Sequence, residues 1–204
     1  MEIVNNMAND KALLIVYPDY PVNTDSFYGY TTLVGHAGVL LIKSNGLTKY
    51  YEFGRYDEAK NGQVRNKTVP NAEIASDEKP TPSSLKKILS TLSTKSGKDT
   101  RIRAAYFINM DFEKMLAQAT ATQPKYDIIS FNCGQYAESV ILKGNPSIDR
   151  PLIINPVPNN IVDEYIEEGN AEILFSPSTG EITIGEGDES DAKEMRMLED
   201  SNYS

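Results

Sequence analysis

The chain has 204 residues, of which 40% are apolar and 24% charged, and these values are typical of one globular domain, not of a disordered or membrane chain. Twenty basic residues against 29 acidic ones give a net charge of −9, which opposes binding to nucleic acid. No apolar run approaches the roughly 20 residues needed to cross a bilayer. One cysteine and one histidine cannot build an internal disulfide or the usual zinc site, so we expect chemistry without a metal or an organic cofactor.

The first half of the chain is expected to consist mainly of strands. The apolar run "KALLIVY" predicts a strand that Pro18 must end. The segments "HAGVLLIK" and "LTKYYEFGRY" flank "SNG", in which Gly46 suits a three-residue hairpin loop. Residues 57–80 have little periodicity and many turn formers, and they predict a long surface excursion.

The second half mixes helices with strands. Thr81 suits the N-cap and Pro82 the first position of an amphipathic helix that ends by Gly97. "RIRAAYFI" predicts a strand, and Asp111 can cap the helix that follows it. "YDIISFNCGQYAESVILKG" predicts a strand leading into a helix that Gly144 ends, and a short helix, "IVDEYIEEG", and a hairpin of "AEILFS" with "EITIG" follow. This mixed order predicts an α+β fold.

The two ends of the chain differ in composition from its centre. We expect a catalytic domain over residues 1–175 and a flexible acidic tail over 176–204, because the tail carries a net charge of −6 and many small polar residues. Near the N-terminus the apolar stretch 12–17 has no basic cluster before it and no small-residue cleavage site after it. We therefore expect synthesis in the cytoplasm without a signal peptide.

The single cysteine, Cys133, lies where a loop is expected to become a helix. A buried packing role is common for a lone free cysteine. Asn132 and Gly134, however, are typical of a helix start, where unpaired N–H groups and the helix dipole favour a thiolate. Cys133 is therefore a candidate nucleophile, and the same N–H groups are candidate donors to the oxyanion of an acyl-transfer intermediate.

The single histidine, His36, is the one imidazole available as a base for such a nucleophile. A lone histidine is often structural. His36 instead opens an otherwise apolar strand between Gly35 and Gly38, which allow another backbone or a substrate to approach closely. The joint placement of Cys133 at a helix start and His36 at a strand end favours a catalytic pair.

A third group is needed to fix the tautomer and orientation of the imidazole. A three-residue hairpin loop places His36 opposite Gly54, so that Glu52 lies on the face of His36, one diagonal step away. Glu52 is then the orienting residue, since its carboxylate can accept the ring N–H. A two-residue loop reverses the parity, and Arg55 or Tyr51 would share that face instead.

The order of a histidine strand followed by a cysteine helix resembles the circularly permuted branch of the papain-like NlpC superfamily, which includes lecithin:retinol acyltransferase-like proteins and YiiX-like hydrolases. "HAGVLLI" is similar to the histidine strand of that branch, and "NCGQYA" to its Asn-Cys-x-x-aromatic helix start. The resemblance implies a permuted papain-like fold, in which an antiparallel sheet packs against helices that include the cysteine helix. It also implies that Cys133 is the nucleophile, His36 the base and Glu52 the orienting residue.

A wider pattern, "YYEFGRYD…GQVR…PTPSSLKKIL…RAAYF…NCGQYA", is similar to bacterial type VI secretion effectors that attack the cell wall. This resemblance implies an antibacterial toxin that is delivered to the periplasm of a target cell. Its partners would be the peptide of peptidoglycan as substrate, a cognate immunity protein and a secretion-spike protein.

Three functions follow as hypotheses. The first is a cysteine amidase or peptidase that hydrolyses amide bonds in peptidoglycan stem peptides. The second keeps the fold and nucleophile but acts on a lipid or thioester acyl group; the polar character of residues 57–80 disfavours it, as does Gln135, which stands where the acyltransferases carry histidine. The third is a non-catalytic binding protein in which Cys133 and His36 are core residues.

Overall fold

A computed structural model describes residues 9–23, 31–32 and 35–185. The strands in these ranges are β1 (Asp10–Tyr17), β2 (Val22–Asn23), β3 (Thr31–Thr32), β4 (His36–Ile42), β5 (Thr48–Gly54), β6 (Gln63–Lys67), β7 (Ile102–Met110), β8 (Glu172–Ser176) and β9 (Glu181–Ile184). The helices in these ranges are α1 (Pro82–Lys95), α2 (Phe112–Thr120), α3 (Cys133–Gly144) and α4 (Pro158–Glu167).

The centre of the fold is a seven-stranded sheet in the order β6-β5-β4-β1-β7-β8-β9. Every pairing in it is antiparallel. The short strands β2 and β3 pair with each other in a separate ladder. The expected α+β class, with an antiparallel sheet packed against helices, is confirmed.

Helices cover both faces of this sheet because its central strand is apolar on both sides. β1 is buried along its whole length, and its alternate side chains point to opposite faces. Ala12, Leu14 and Val16 join a core with α2, α3 and α4. The intervening side chains of β1 join a second core with α1. The cysteine helix therefore packs against the face opposite α1.

Local signals place the helix starts where the sequence predicts them. Thr81 accepts a hydrogen bond from the Ser84 amide at 3.3 Å, and Pro82 begins α1. Asp111 accepts from the Lys114 amide at 3.0 Å and caps α2. Both caps satisfy amides that a helix start leaves unpaired.

Two expectations about local structure are wrong. Residues 57–80, expected from their low periodicity and many turn formers to be a long surface excursion, contain β6, which pairs with β5 at the edge of the sheet. β6 is an edge strand with partly exposed side chains on both faces, so it does not need alternating apolar and polar residues. The hydrophobic periodicity of the sequence therefore does not predict this strand. The segment before Cys133, expected to be a strand, is a tight turn closed by the Asp127–Phe131 bridge. The Asp127 carboxylate holds this turn by accepting from the amides of Ile129 and Ser130 at 2.9 and 2.7 Å.

The expected late hairpin is present as β8 and β9. β9 lies within the range 176–204, so the first part of the predicted tail is paired into the sheet. Residues 186–204 lie outside the described residues, and the flexible acidic tail stays a prediction there. Within the described ranges, no helix is long and apolar enough to cross a membrane.

Candidate active site

The start of α3 is fixed by Asn132, the residue before Cys133. Its side-chain oxygen accepts from the Gly134 amide at 2.8 Å and the Gln135 amide at 3.3 Å. The Gln135 side chain in turn accepts from the Asn132 amide at 2.9 Å, which completes a capping box. Because Gln135 closes this box, its side chain stabilises the helix start. Gln135 stands at the position where the acyltransferases carry histidine.

The capping box also occupies two of the backbone amides at this helix start. The amides of Gly134 and Gln135 both donate to Asn132. The amide of Cys133 itself lies outside the cap. The Asn132 side-chain amide donates to the carbonyls of Ile128 and Pro156 at 3.0 and 2.8 Å, so it ties two flanking loops to the helix start.

His36 is placed by the close packing of its strand. Gly35 has a φ of +77°, and a Cβ at that position would lie 2.3 Å from the Asn159 Oδ1 and 3.2 Å from the Tyr17 carbonyl. Glycine is therefore required immediately before His36. His36 pairs with Tyr17 of β1, and the two rings stack with centroids 6.0 Å apart.

Glu52 lies beside His36 because of the β4–β5 register. The Lys43 amide donates to the Leu47 carbonyl at 2.9 Å across the hairpin loop, and Glu52 pairs with Gly38. This is the register that a three-residue loop gives, so the two-residue alternative is excluded. The Glu52 Oε2 lies 3.3 Å from the His36 Nε2, and Glu52 is only 2% exposed.

Cys133 meets the same imidazole from α3. Its side chain interacts electrostatically with His36, and both residues are buried, with 3% and 7% of their surfaces exposed. Because the Nε2 of His36 faces Glu52, Nδ1 is the ring nitrogen that remains for the thiol. The structure thus brings together the three residues predicted from the sequence, in the order Cys133, His36, Glu52.

The electrostatics of the site favour a protonated imidazole. Burial alone lowers the pKa of His36, but the charge and hydrogen bond of Cys133, together with those of Glu52, outweigh burial and raise this pKa from 6.5 to about 9. Burial raises the pKa of Glu52, yet the hydrogen bond and charge of His36 and the charge of Lys67 lower it overall. At neutral pH the pair is therefore an imidazolium and a carboxylate.

Two tyrosines that the sequence analysis missed also contact this site. The Tyr56 hydroxyl lies 2.9 Å from the His36 Nε2. The Tyr126 hydroxyl lies near enough to Cys133 to interact with it electrostatically. Burial raises the pKa of both tyrosines, so their hydroxyls stay protonated and can donate.

The position of Tyr56 near Glu52 could have been predicted from the sequence. Continuing the alternation of β5 beyond Gly54 puts residue 56 on the face of Glu52. No sequence pattern predicts the position of Tyr126, because only the turn that follows it folds its side chain back to Cys133.

Two buried tyrosine hydroxyls form a hydrogen-bonded chain that ends at the Glu52 carboxylate. The Tyr17 hydroxyl donates to the Tyr50 hydroxyl at 3.0 Å, and the Tyr50 hydroxyl donates to the Glu52 Oε2 at 3.4 Å. The Tyr50 ring crosses Gly38, where a Cβ would lie 2.2 Å from the hydroxyl oxygen. The carboxylate is thus held on two sides, by His36 and by Tyr50. Among the described residues, no group of three or more histidine, cysteine, aspartate or glutamate side chains is arranged to hold a metal ion.

Comparison with known proteins agrees with this architecture. The family described as type VI secretion system effector TseH-like matches residues 12–149, a span that contains Cys133, His36 and Glu52. A solved structure described as the crystal structure of the type VI secretion system effector TseH is 27% identical in sequence, with a TM-score of 0.72 over 88% of this chain and 99% of that one. No curated protein matches.

The fold is therefore that of a type VI secretion system effector with a mixed α+β domain. The chain belongs to the TseH-like family of type VI secretion system effectors. Membership in this family agrees with delivery into a target cell and points to an immunity protein as a partner.

Proposed function

We propose that this chain is a cysteine amidase, a peptidase-type hydrolase that cuts amide bonds in peptidoglycan stem peptides in the periplasm of a target bacterium. The observation that carries the proposal is the buried His36–Glu52 contact at 3.3 Å, together with the buried Cys133 that acts on the same imidazole. This geometry is what nucleophilic catalysis by a thiol requires. It supports a permuted papain-like arrangement, with the histidine strand before the cysteine helix.

In the first half of the reaction, the sulfur of Cys133 attacks the carbonyl carbon of the scissile amide while His36 already carries the proton. The amide of Cys133 and the hydroxyl of Tyr126 are the proposed donors to the oxyanion that forms. The C–N bond then breaks, and the imidazolium gives its proton to the leaving amine. A thioester on Cys133 remains.

In the second half, His36 removes a proton from water, and the resulting hydroxide attacks the thioester carbonyl. The C–S bond breaks, the acid product leaves, and the sulfur of Cys133 is released. Glu52 stabilises the imidazolium in both halves and holds its orientation. Each cycle consumes one water and needs no redox partner.

Expression with and without an export signal tests the function and its place of action. Directed to the periplasm of a bacterium, the protein is expected to lyse the cells, whereas the same protein kept in the cytoplasm is harmless because peptidoglycan is absent there. Cys133→Ala and His36→Ala should each abolish lysis while the thermal midpoint changes little. Toxicity confined to the cytoplasm contradicts the proposal. A secretion-spike protein is the expected carrier.

One observation favours acyl-ester or thioester hydrolysis as a second candidate function. Three exposed apolar side chains, Ile129, Leu152 and Ile154, are 66%, 80% and 85% exposed, and they lie on the two loops that Asn132 ties to the helix start. Apolar side chains beside a nucleophile suit a lipid chain. Consumption of phospholipid or acyl-thioester by the purified protein, with sacculi left intact, selects this candidate. The non-catalytic alternative is disfavoured because Cys133 and Glu52 both act on the one imidazole of the chain.

A further inference from the structure

Strand β6 places a cation close to the catalytic histidine. Arg65 pairs directly with Glu52 across the β5–β6 ladder, so the two side chains emerge on the same face of the sheet. The guanidinium of Arg65 lies over the ring of Tyr56, 3.7 Å from its centroid. The hydroxyl of that same ring contacts His36 at 2.9 Å. Arg65 is therefore separated from the imidazole by the width of one tyrosine.

Arg65 differs from its neighbouring cations in how its charge is balanced. The Lys67 Nζ lies 3.7 Å from the Glu52 Oε1. Arg55 stacks on Tyr126 with its guanidinium 5.1 Å from the ring centroid, and its charge contributes to lowering the pKa of Asp127. Arg65, by contrast, forms no ion pair with any residue in the ranges that the structure describes. A cation that forms no ion pair in the described ranges, so close to the catalytic pair, is notable in a chain whose net charge is −9.

The way Arg65 is held leaves its hydrogen-bonding edge for a ligand. Stacking on Tyr56 occupies the flat face of the guanidinium, whereas its N–H donors project in the plane of the group. The stack also fixes the plane, so less conformational freedom is lost when an anion binds. A planar fork of this kind matches a carboxylate, which it can bind through two parallel hydrogen bonds.

We propose that Arg65 is a specificity-determining residue that binds a carboxylate of the substrate close to the scissile amide. The inference rests on the proposed amidase function and narrows its substrate to an acidic peptide. A neutral acyl chain has no carboxylate that this guanidinium could bind, so the same residue discriminates against a simple lipid ester. Arg65 acts on substrate binding and takes no part in proton transfer.

The test compares two forms of one substrate. Soluble muropeptides released from sacculi carry free carboxylates, and carbodiimide coupling with ammonia converts these groups to neutral carboxamides. We expect the wild-type protein to prefer the free form by about tenfold or more in kcat/KM. In Arg65→Gln the KM for the free form should rise by about tenfold or more with kcat little changed, while turnover of the amidated form stays the same. Arg65→Lys keeps the charge but loses the fork, and its KM should lie between those of the wild type and Arg65→Gln.

Lys49→Gln is the matched control. It removes one positive charge from β5 on the opposite face of the strand, and the wild-type preference should be retained. Equal turnover of both substrate forms by the wild type overturns the inference about Arg65 but leaves the amidase function standing. A fall in kcat for both forms in Arg65→Gln also overturns it, because that pattern indicates a structural role. If the wild type cleaves neither form, the amidase function itself fails, and the inference fails with it.

Discussion

Removing the thiol of Cys133 is expected to lower the pKa of His36. The rise from 6.5 to about 9 corresponds to roughly 3 kcal/mol of preference for the imidazolium. Cys133 contributes to this rise through both its charge and its hydrogen bond, whereas burial, which opposes the rise, remains in the variant. We therefore expect Cys133→Ala to lower the pKa of His36 by at least about one unit, or roughly 1.4 kcal/mol.

The assay is unambiguous because His36 is the single histidine of the chain. Its imidazole resonances, followed by NMR between pH 5 and pH 10, give the midpoint directly. Ser139→Ala, on the same helix as Cys133, serves as the control and should leave the midpoint at about 9. A wild-type midpoint at or below 6.5, or a midpoint that Cys133→Ala leaves unchanged, would refute the proposed coupling between thiol and imidazole.

Four further predictions follow from the geometry of the site. The kcat/KM should fall as pH rises through about 9, because His36 then loses the proton that it gives to the leaving amine; a profile that is flat to pH 10 contradicts this role. Tyr126→Phe should lower kcat by about a hundredfold with the unfolding midpoint unchanged, as loss of one oxyanion donor does in other hydrolases; full activity would remove Tyr126 from the mechanism. Because the pKa of Glu52 is lowered from 4.5 in the folded protein, its carboxylate stabilises the fold above pH 4.5, and this stabilisation is lost as the pH falls through the lowered pKa. Glu52→Gln should therefore flatten the dependence of the unfolding free energy on pH below 4.5. Urea titrations at several pH values would measure this dependence. Gly35→Ala should cost about 1–3 kcal/mol of unfolding free energy, because φ is +77° and the new Cβ would meet Asn159; a neutral result would mean that the turn adapts.

The sequence predicts those parts of the site that depend on strand alternation, hairpin-loop length and helix capping. The alternation of side chains and the three-residue loop fix the β4–β5 register, and this register alone places Glu52 beside His36. Asn132 and Gly134 identify the helix start that carries Cys133, because a short polar side chain caps the amides at that end. Such signals act within a few residues of the element that they specify.

The parts that the sequence does not predict depend on tertiary contacts. Tyr126 reaches Cys133 only because the Asp127 turn folds the chain back, and a run such as "YDIISF" has the composition of a strand. Arg65 lies on an edge strand whose pairing with β5 stabilises it without any apolar pattern of its own. Neither position can be inferred from periodicity, since each is defined by a partner distant in sequence.

The most direct test of the central claim is hydrolysis of peptidoglycan by the purified protein. Isolated sacculi incubated in ¹⁸O-labelled water should release or shorten stem peptides, each new carboxyl end carrying one labelled oxygen when the products are analysed by mass spectrometry. The thioester step predicts this labelling, because water attacks the acyl group on Cys133. Cys133→Ala should release nothing. Intact sacculi with the wild-type protein, or labelled products that persist in Cys133→Ala, would contradict the assignment of a cysteine amidase.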